Sequence, residues 1–267
     1  MMRIGLIAGE GKLPVIFALA AKEKGDTVIA FGLKGVTDPE LEKSVAKLHW
    51  LEWGQWQKGI LLLAAERIKN IIMLGKLKKE KFFKEGESLD GEAKKVLDKI
   101  GDKKDYAILN EAARHFSKLG VKIIDSTTYL TGLIPQKGTL TKREPEKQEW
   151  DDINYGKEVA KELSRFDIGQ TIAVKEKTVI ALEAMEGTDE VISRAGSLVN
   201  GGFVVVKVAR PDQDMRFDVP LVGPDTLNTI VKSGCKTLAL EGNKTLLMDR
   251  EESIRIADQN SISIVII

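Results

Sequence analysis

Residues 205–220 read VVKVARPDQDMRFDVP. A run of valines suited to a buried strand leads into Lys207, Arg210 and Arg216, interleaved with Asp212, Asp214 and Asp218. Carboxylates held at a strand end can bind a divalent cation or orient water, and cations among them can take up phosphate oxygens that the metal leaves unneutralised. A diphosphate is a substrate that needs both. An ordinary surface loop of ion pairs explains any one of these residues taken alone.

A second acidic stretch, LEAMEGTDEVISRAG at 182–196, places Glu183, Glu186, Asp189 and Glu190 around Gly187. Thr188 stands where it would cap the helix that follows, and Arg194 lies one turn beyond Glu190, at ion-pair spacing. Two acidic strand ends in one sheet would converge into a metal-site geometry.

Two further motifs belong to the first half. AGEGKLP (8–14) reads as a strand-to-helix turn. There Gly9, Glu10 and Gly11 could bring backbone amides to a phosphate at the positive end of a helix. MLGK (73–76) ends another strand, so Gly75 and Lys76 would face the same carboxyl edge, where open α/β sheets bind ligands. The basic, aromatic stretch LKKEKFFK (77–84) is expected to be a solvated face, docked by Phe82 and Phe83. Trp50, Trp53 and Trp56 are expected in packing roles.

The elements that must carry these residues follow from periodicity. Short β-branched runs at 3–8, 27–32, KLHWL, 70–75 and 121–126 alternate with helical patterns, the cadence of a parallel sheet covered on both faces. The stretch 132–152 breaks that cadence with prolines, glycines and dense charge. Beyond it a helix, an early hairpin and further strand–helix alternation predict a mixed sheet. The expected architecture is α/β: an N-terminal Rossmann-like parallel-sheet domain at 1–131, a linker at 132–150, and a C-terminal α/β catalytic domain at 151–267.

Composition narrows the chemistry. Over 267 residues, 41 Lys and Arg stand against 40 Asp and Glu, too even a balance for a general nucleic-acid binder. Cys235 is the one cysteine and His49 and His115 the two histidines, so a bound metal is expected to be held by oxygens, as magnesium or manganese is. No apolar run approaches the ~20 residues that span a bilayer, which leads to the expectation of a cytoplasmic protein. A dinucleotide site is disfavoured, because Pro14 stands where a third glycine belongs and FGLKG ends the second strand without the acid that would hold a ribose.

The segments IGLIAGEGKLP, MLGK, KGTLTKREP, DIGQTIAV, LEAMEGTDEVISRAG and PDQDMRFDVPLVGPDTL occur in that order. Together they closely resemble the LpxI family of UDP-2,3-diacylglucosamine pyrophosphatases. The resemblance implies hydrolysis of UDP-2,3-diacylglucosamine to lipid X and UMP in lipid A biosynthesis, with a divalent cation such as Mg2+ or Mn2+ and water directed at the phosphate next to the sugar. It also implies a homodimer. A lipid-linked nucleotide sugar as substrate brings the expectation of peripheral contact with the inner membrane.

Carried onto this chain, the resemblance makes Asp218 the first candidate for the essential carboxylate, then Asp214, then Asp189, with Asp214 and Asp218 as metal ligands. Lys207 and Arg216 would stabilise charge on the transferring phosphoryl group. Gly9, Glu10, Gly11, Gly75, Lys76, Thr188 and Arg194 are the remaining candidate substrate contacts. A non-catalytic nucleotide-sugar sensor, or another enzyme using UDP-sugars, is the alternative, and turnover separates them.

Overall fold

The computed structural model describes residues 1–76, 89–97, 105–166, 168–211, 213–217 and 219–267. The basic stretch 77–84, Asp212 and Asp218 lie outside the described residues. Two compact units divide the chain: Met1–Thr131 together with Asp214–Asp218, and Gly132–Gln213 together with Val219–Ile267.

The first unit is built on β1 (Arg3–Ala8), β2 (Thr27–Leu33), β3 (Lys47–Leu51), β4 (Asn70–Leu74) and β5 (Lys122–Ile123), with helices α1 (Leu13–Glu23), α2 (Trp56–Ala65), α3 (Gly91–Leu97) and α4 (Asp105–Lys118). All five strands are parallel, in the order β3-β2-β1-β4-β5. That is the Rossmann order, which reverses direction between β1 and β4. Ile4, Leu6, Ile71 and Ile72 are fully buried, as a parallel sheet covered on both faces requires. The strand expected at 121–126 is only two residues long. Asp125 ends it by accepting the amide of Thr127 through Oδ1, at 2.7 Å, and so opens a 3-10 turn over Ser126–Tyr129.

The second unit contains β6 (Gly138–Thr139), α5 (Lys147–Ser164), β7 (Thr171–Lys175), β8 (Thr178–Leu182), α6 (Thr188–Leu198), β9 (Val204–Lys207), β10 (Leu221–Val222), α7 (Pro224–Lys232), β11 (Thr237–Leu240), β12 (Leu246–Leu247), α8 (Arg250–Gln259) and β13 (Ser263–Ile266). Its main sheet has the order β6-β13-β11-β9-β7-β8. β9, β11 and β13 run parallel, while β6 and β7 pair antiparallel with β13 and β9, and β8 antiparallel with β7. The sheet is mixed, as the early hairpin implied. Alternation splits each strand between two cores. Val205, Leu238, Leu240, Ile264 and Ile266 pack with α6, α7 and α8, whereas Val204, Val206, Ala239 and Val265 pack with α5. Gly156 lets α5 lie close on that face, since a Cβ there would stand 3.0 Å from Val206 and 3.1 Å from Val174.

The stretch read as a linker is woven into this unit. Leu140 N–H donates to Ile264 O (2.9 Å), Ile264 N–H donates to the buried Thr141 hydroxyl (3.0 Å), and Arg143 reaches Ser263 Oγ (2.8 Å) and both oxygens of Glu149. Helix α5 starts at Lys147, inside the stretch read as a linker. Glu149 accepts the Glu146 amide at that start.

Candidate active site

Lys207 ends β9 and is 6% exposed. β7 runs antiparallel to β9 with Thr171 opposite Lys207, and β8 returns to the same edge before α6 begins. This register brings two hydroxyls to one ammonium. Lys207 Nζ donates to Thr188 Oγ1 at 2.6 Å and to Thr171 Oγ1 at 3.3 Å. Among the described residues no carboxylate pairs with it. A desolvated ammonium satisfied only by neutral hydroxyls retains most of its demand for an anion.

The mouth of α6 is built around that ammonium. Gly187 is the N-cap, in the left-handed region at φ 90°, so Thr188 is the first helical residue and does not cap the helix. Its hydroxyl instead donates to Glu183 Oε1 at 3.1 Å while accepting from Lys207. Glu183 Oε2 accepts the Gln170 amide at 3.1 Å, tying the start of β7 to the end of β8. Arg194 pairs with Glu186 rather than Glu190, at 2.6 Å, and donates to Leu182 O at 2.8 Å, so it braces the loop that delivers Thr188. Asp189 Oδ1 accepts from Thr226 Oγ1 at 2.8 Å, joining the first turns of α6 and α7. Two positive helix ends and a buried ammonium therefore share one sheet edge.

Beyond Lys207 the chain is clamped. Lys161 of α5 donates to Ala209 O (2.8 Å) and to Glu241 Oε1 (2.7 Å), and Glu241 Oε2 accepts the Ala209 amide (2.7 Å). A tight turn follows, with Gln213 N–H on Arg210 O and Arg210 N–H on Gln213 Oε1.

Asp214–Asp218 then belongs to the first unit, so the two acidic stretches are not strand ends of one sheet, as had been expected. Asp214 Oδ1 accepts the Arg216 amide (3.0 Å), and its carboxylate faces the Arg216 guanidinium, with Nε 3.0 Å from each oxygen. The Arg216 guanidinium, opposed by burial, holds the Asp214 carboxyl below the usual carboxylate range. Phe217, 3% exposed, joins the core cluster of Ile29, Phe31, Leu63 and Phe116.

In the first unit the glycine turn is closed differently from a phosphate cradle. Gly9 and Glu10 give their amides to Leu74 O (2.7 Å) and Lys76 O (2.9 Å), and Lys76 N–H returns to Glu10 O. A Cβ at Gly75, where φ is +97°, would stand 2.7 Å from the Gly9 carbonyl carbon, and one at Gly9 would meet the Gly75 backbone at 2.8 Å. These glycines thus serve a backbone-to-backbone approach at the point where strand order reverses. The Glu10 and Lys76 side chains and Gly11 are exposed beside it.

No group of three His, Cys, Asp or Glu that could hold a metal is present among the described residues. Magnesium needs only one or two carboxylates when substrate phosphates complete its shell. Asp214 fits such a role, being held ionised and keeping lone pairs beyond those that Arg216 engages. Sequence reading passed over Thr171, Glu241 and Ser126, and met Thr226 only as part of a family segment, without a role. Thr171 carries a readable signal only once its pairing opposite Lys207 is known.

Residues 3–133 match the family model described as the LpxI N-terminal domain, and residues 136–265 match the LpxI C-terminal domain. A relative from Caulobacter vibrioides, UDP-2,3-diacylglucosamine pyrophosphatase LpxI, is 30% identical over 97% of this chain and 95% of its own. Among solved structures, the biotin carboxylase domain of Hydrogenobacter thermophilus 2-oxoglutarate carboxylase is 14% identical over 73% of this chain and 40% of that one. Campylobacter jejuni biotin carboxylase is 15% identical over 73% and 41%. Both have a TM-score of 0.25, too loose a superposition to imply a common ligand.

Proposed function

The chain belongs to the LpxI family, and we propose that it hydrolyses the diphosphate of UDP-2,3-diacylglucosamine to 2,3-diacylglucosamine 1-phosphate and UMP, with magnesium, in lipid A biosynthesis. The observation that carries this reading is the buried Lys207 ammonium, held by Thr188 and Thr171 without a carboxylate partner among the described residues. A diphosphate oxygen is the anion it would accept, with the first turn of α6 beside it.

Hydrolysis adds the water oxygen to one phosphorus, and the bridging oxygen leaves with the other. Negative charge grows on the departing phosphate as this bond breaks, and preorganised donors stabilise it most where water is excluded. Lys207 supplies that charge from a fixed position, because Thr188 is itself fixed by Glu183. Arg216 supplies a second cation and keeps Asp214 ionised. An ionised Asp214 can accept a proton or a hydrogen bond from water but cannot donate a proton. Asp218 is the carboxylate assigned the essential role by family resemblance, and Asp189 is assigned to the α6 mouth. Magnesium, held by Asp214 and Asp218, would neutralise the diphosphate charge.

The family resemblance implies a homodimer, and the lipid substrate implies contact with the cytoplasmic face of the inner membrane. No helix among the described residues is long and apolar enough to cross a membrane.

The test is UMP release from UDP-2,3-diacylglucosamine by purified protein, with magnesium and with chelator, beside Asp218→Ala and Lys207→Met. Magnesium-dependent release that both substitutions abolish is expected. Binding of a UDP-sugar without UMP release would replace the reading with that of a sensor.

A further inference from the structure

The five residues Asp214–Asp218 lie in the C-terminal half of the sequence but belong to the first unit. Two fixings hold them there. Ser126 Oγ donates to Met215 O at 2.7 Å, and the Ser126 amide donates to the same carbonyl at 3.3 Å. Two residues on, Phe217 is buried among first-unit side chains. Between these points the peptide is a tight turn, with Phe217 N–H on Asp214 O (2.9 Å) and Arg216 N–H on Asp214 Oδ1 (3.0 Å).

The support beneath Ser126 is itself rigid. Ser126 is fully buried and opens the 3-10 turn that Asp125 caps through Thr127. At the other end of that turn Tyr129 donates to Asp26 Oδ2 at 2.6 Å, and Asp26 Oδ1 accepts the Met2 amide at 2.6 Å. Lys24 donates to Thr128 O at 3.0 Å and lies 4.8 Å from the Tyr129 ring centroid, while Phe17 meets the same ring edge-on. The turn is therefore bonded to the start of β1 and to the α1–β2 connection.

We propose that Ser126 and Phe217 are positioning residues for the reaction: they make the Asp214–Arg216 segment a part of the N-terminal unit, so that this unit, rather than the clamp at Ala209, sets where the carboxylate and guanidinium stand. The role in turnover rests on the functional reading above, but the anchor does not. Two contacts, at Met215 and Phe217, leave the residues from Asp214 to Phe217 little freedom, and misplacing a reacting group by about 1 Å costs on the order of 100-fold in rate.

Three variants test this: Ser126→Ala, Phe217→Ala and the apolar control Phe217→Leu. Each is assayed for kcat and KM and followed by amide hydrogen exchange over 213–217 and over β11. Ser126→Ala and Phe217→Ala are expected to speed exchange in 213–217 while β11 stays protected, and to lower kcat about 10- to 100-fold with little change in KM. Phe217→Leu should recover most of both. Unchanged exchange in a folded, active Phe217→Ala protein overturns the anchor. Faster exchange with unchanged kcat overturns the positioning role. Absence of turnover in the wild type overturns the reading of the site and the positioning role with it, leaving the exchange data to judge the anchor alone.

Discussion

Lys207 is an unusual lysine because nothing anionic among the described residues answers it, although it is 6% exposed. Lysines so placed are costly to stability, and replacing a buried charge by an apolar group of similar length is often neutral or favourable. Lys207→Met should therefore leave the melting temperature unchanged or raised while lowering kcat/KM about 100- to 1000-fold. A parallel fall in both would mean that Lys207 is structural. Asp214 gives a pH test. Its folded pKa is depressed by Arg216, so its ionised form, and any activity or stability depending on it, persists above the ordinary carboxylate value near 3.9 and is lost only as pH falls further. The acid limb of the kcat/KM profile should thus be unmoved by Asp214 above about pH 5, and a limb there that vanishes in Asp214→Asn would contradict the assigned protonation. Lys207 was legible as a cation at a strand end, and Thr188, Asp214 and Arg216 as chemistry-bearing types, though Thr188 opens a helix and Asp214 and Arg216 stand in a turn of the first unit rather than at a strand end. Thr171 was not legible, because a threonine announces nothing until the strand opposite it is known, and Thr226 stood out only as part of a family segment, its bond to Asp189 unforeseen.

That dependence on register gives the β7–β8 hairpin its functional weight. Glu176 and Lys177 both occupy the left-handed region, at φ 50° and 54°, where a two-residue turn ordinarily carries Asn-Gly. Asp152 of α5, 3% exposed, compensates by accepting the Lys177 amide at 2.6 Å and the Glu176 amide at 3.0 Å. A one-residue slip in β7 would turn Thr171 to the opposite face, away from Lys207. Asp152→Ala is expected to destabilise the protein by about 2 kcal/mol in urea unfolding, and Lys177→Gly to stabilise it by up to about 1 kcal/mol. No change in either would show that the turn is indifferent to its backbone angles. The hairpin was readable from two β-branched runs, whereas its support was not, since Asp152 looks like any acid early in a helix. Segment 132–150 was misread for a related reason. Proline, glycine and charge mark a break in periodicity, but β6 is only two residues long and the bonds that integrate it reach across to residues 258–266.

Across the whole molecule, stability and chemistry occupy different places. Glu66 gathers Arg3, Lys47 and His49 at the amino ends of β1 and β3, whereas Gly9 and Gly75 sit at the carboxyl ends of the same sheet. Hydrogen bonds from Lys47, His49 and Arg3 lower the Glu66 pKa from 4.5 to about 2. A depressed carboxylate stabilises above its unfolded value, and that contribution fades as pH falls from 4.5 toward 2. Glu66→Gln should cost on the order of 1 to 3 kcal/mol at pH 7, lose less further stability on acidification than the wild type, and keep kcat. Equal stability of the two proteins at pH 7 would refute the assignment. The division near residue 131 was visible as a change of cadence. The return of Asp214–Asp218 to the first unit was not, because a single phenylalanine in a charged loop carries no long-range signal. Its consequence is genetic as well as mechanical. A gene divided at the junction between the two family segments would encode a first product with a Phe-sized hole in its core and a second product displaying that phenylalanine to water. Each product would then carry a defect that only the other could repair.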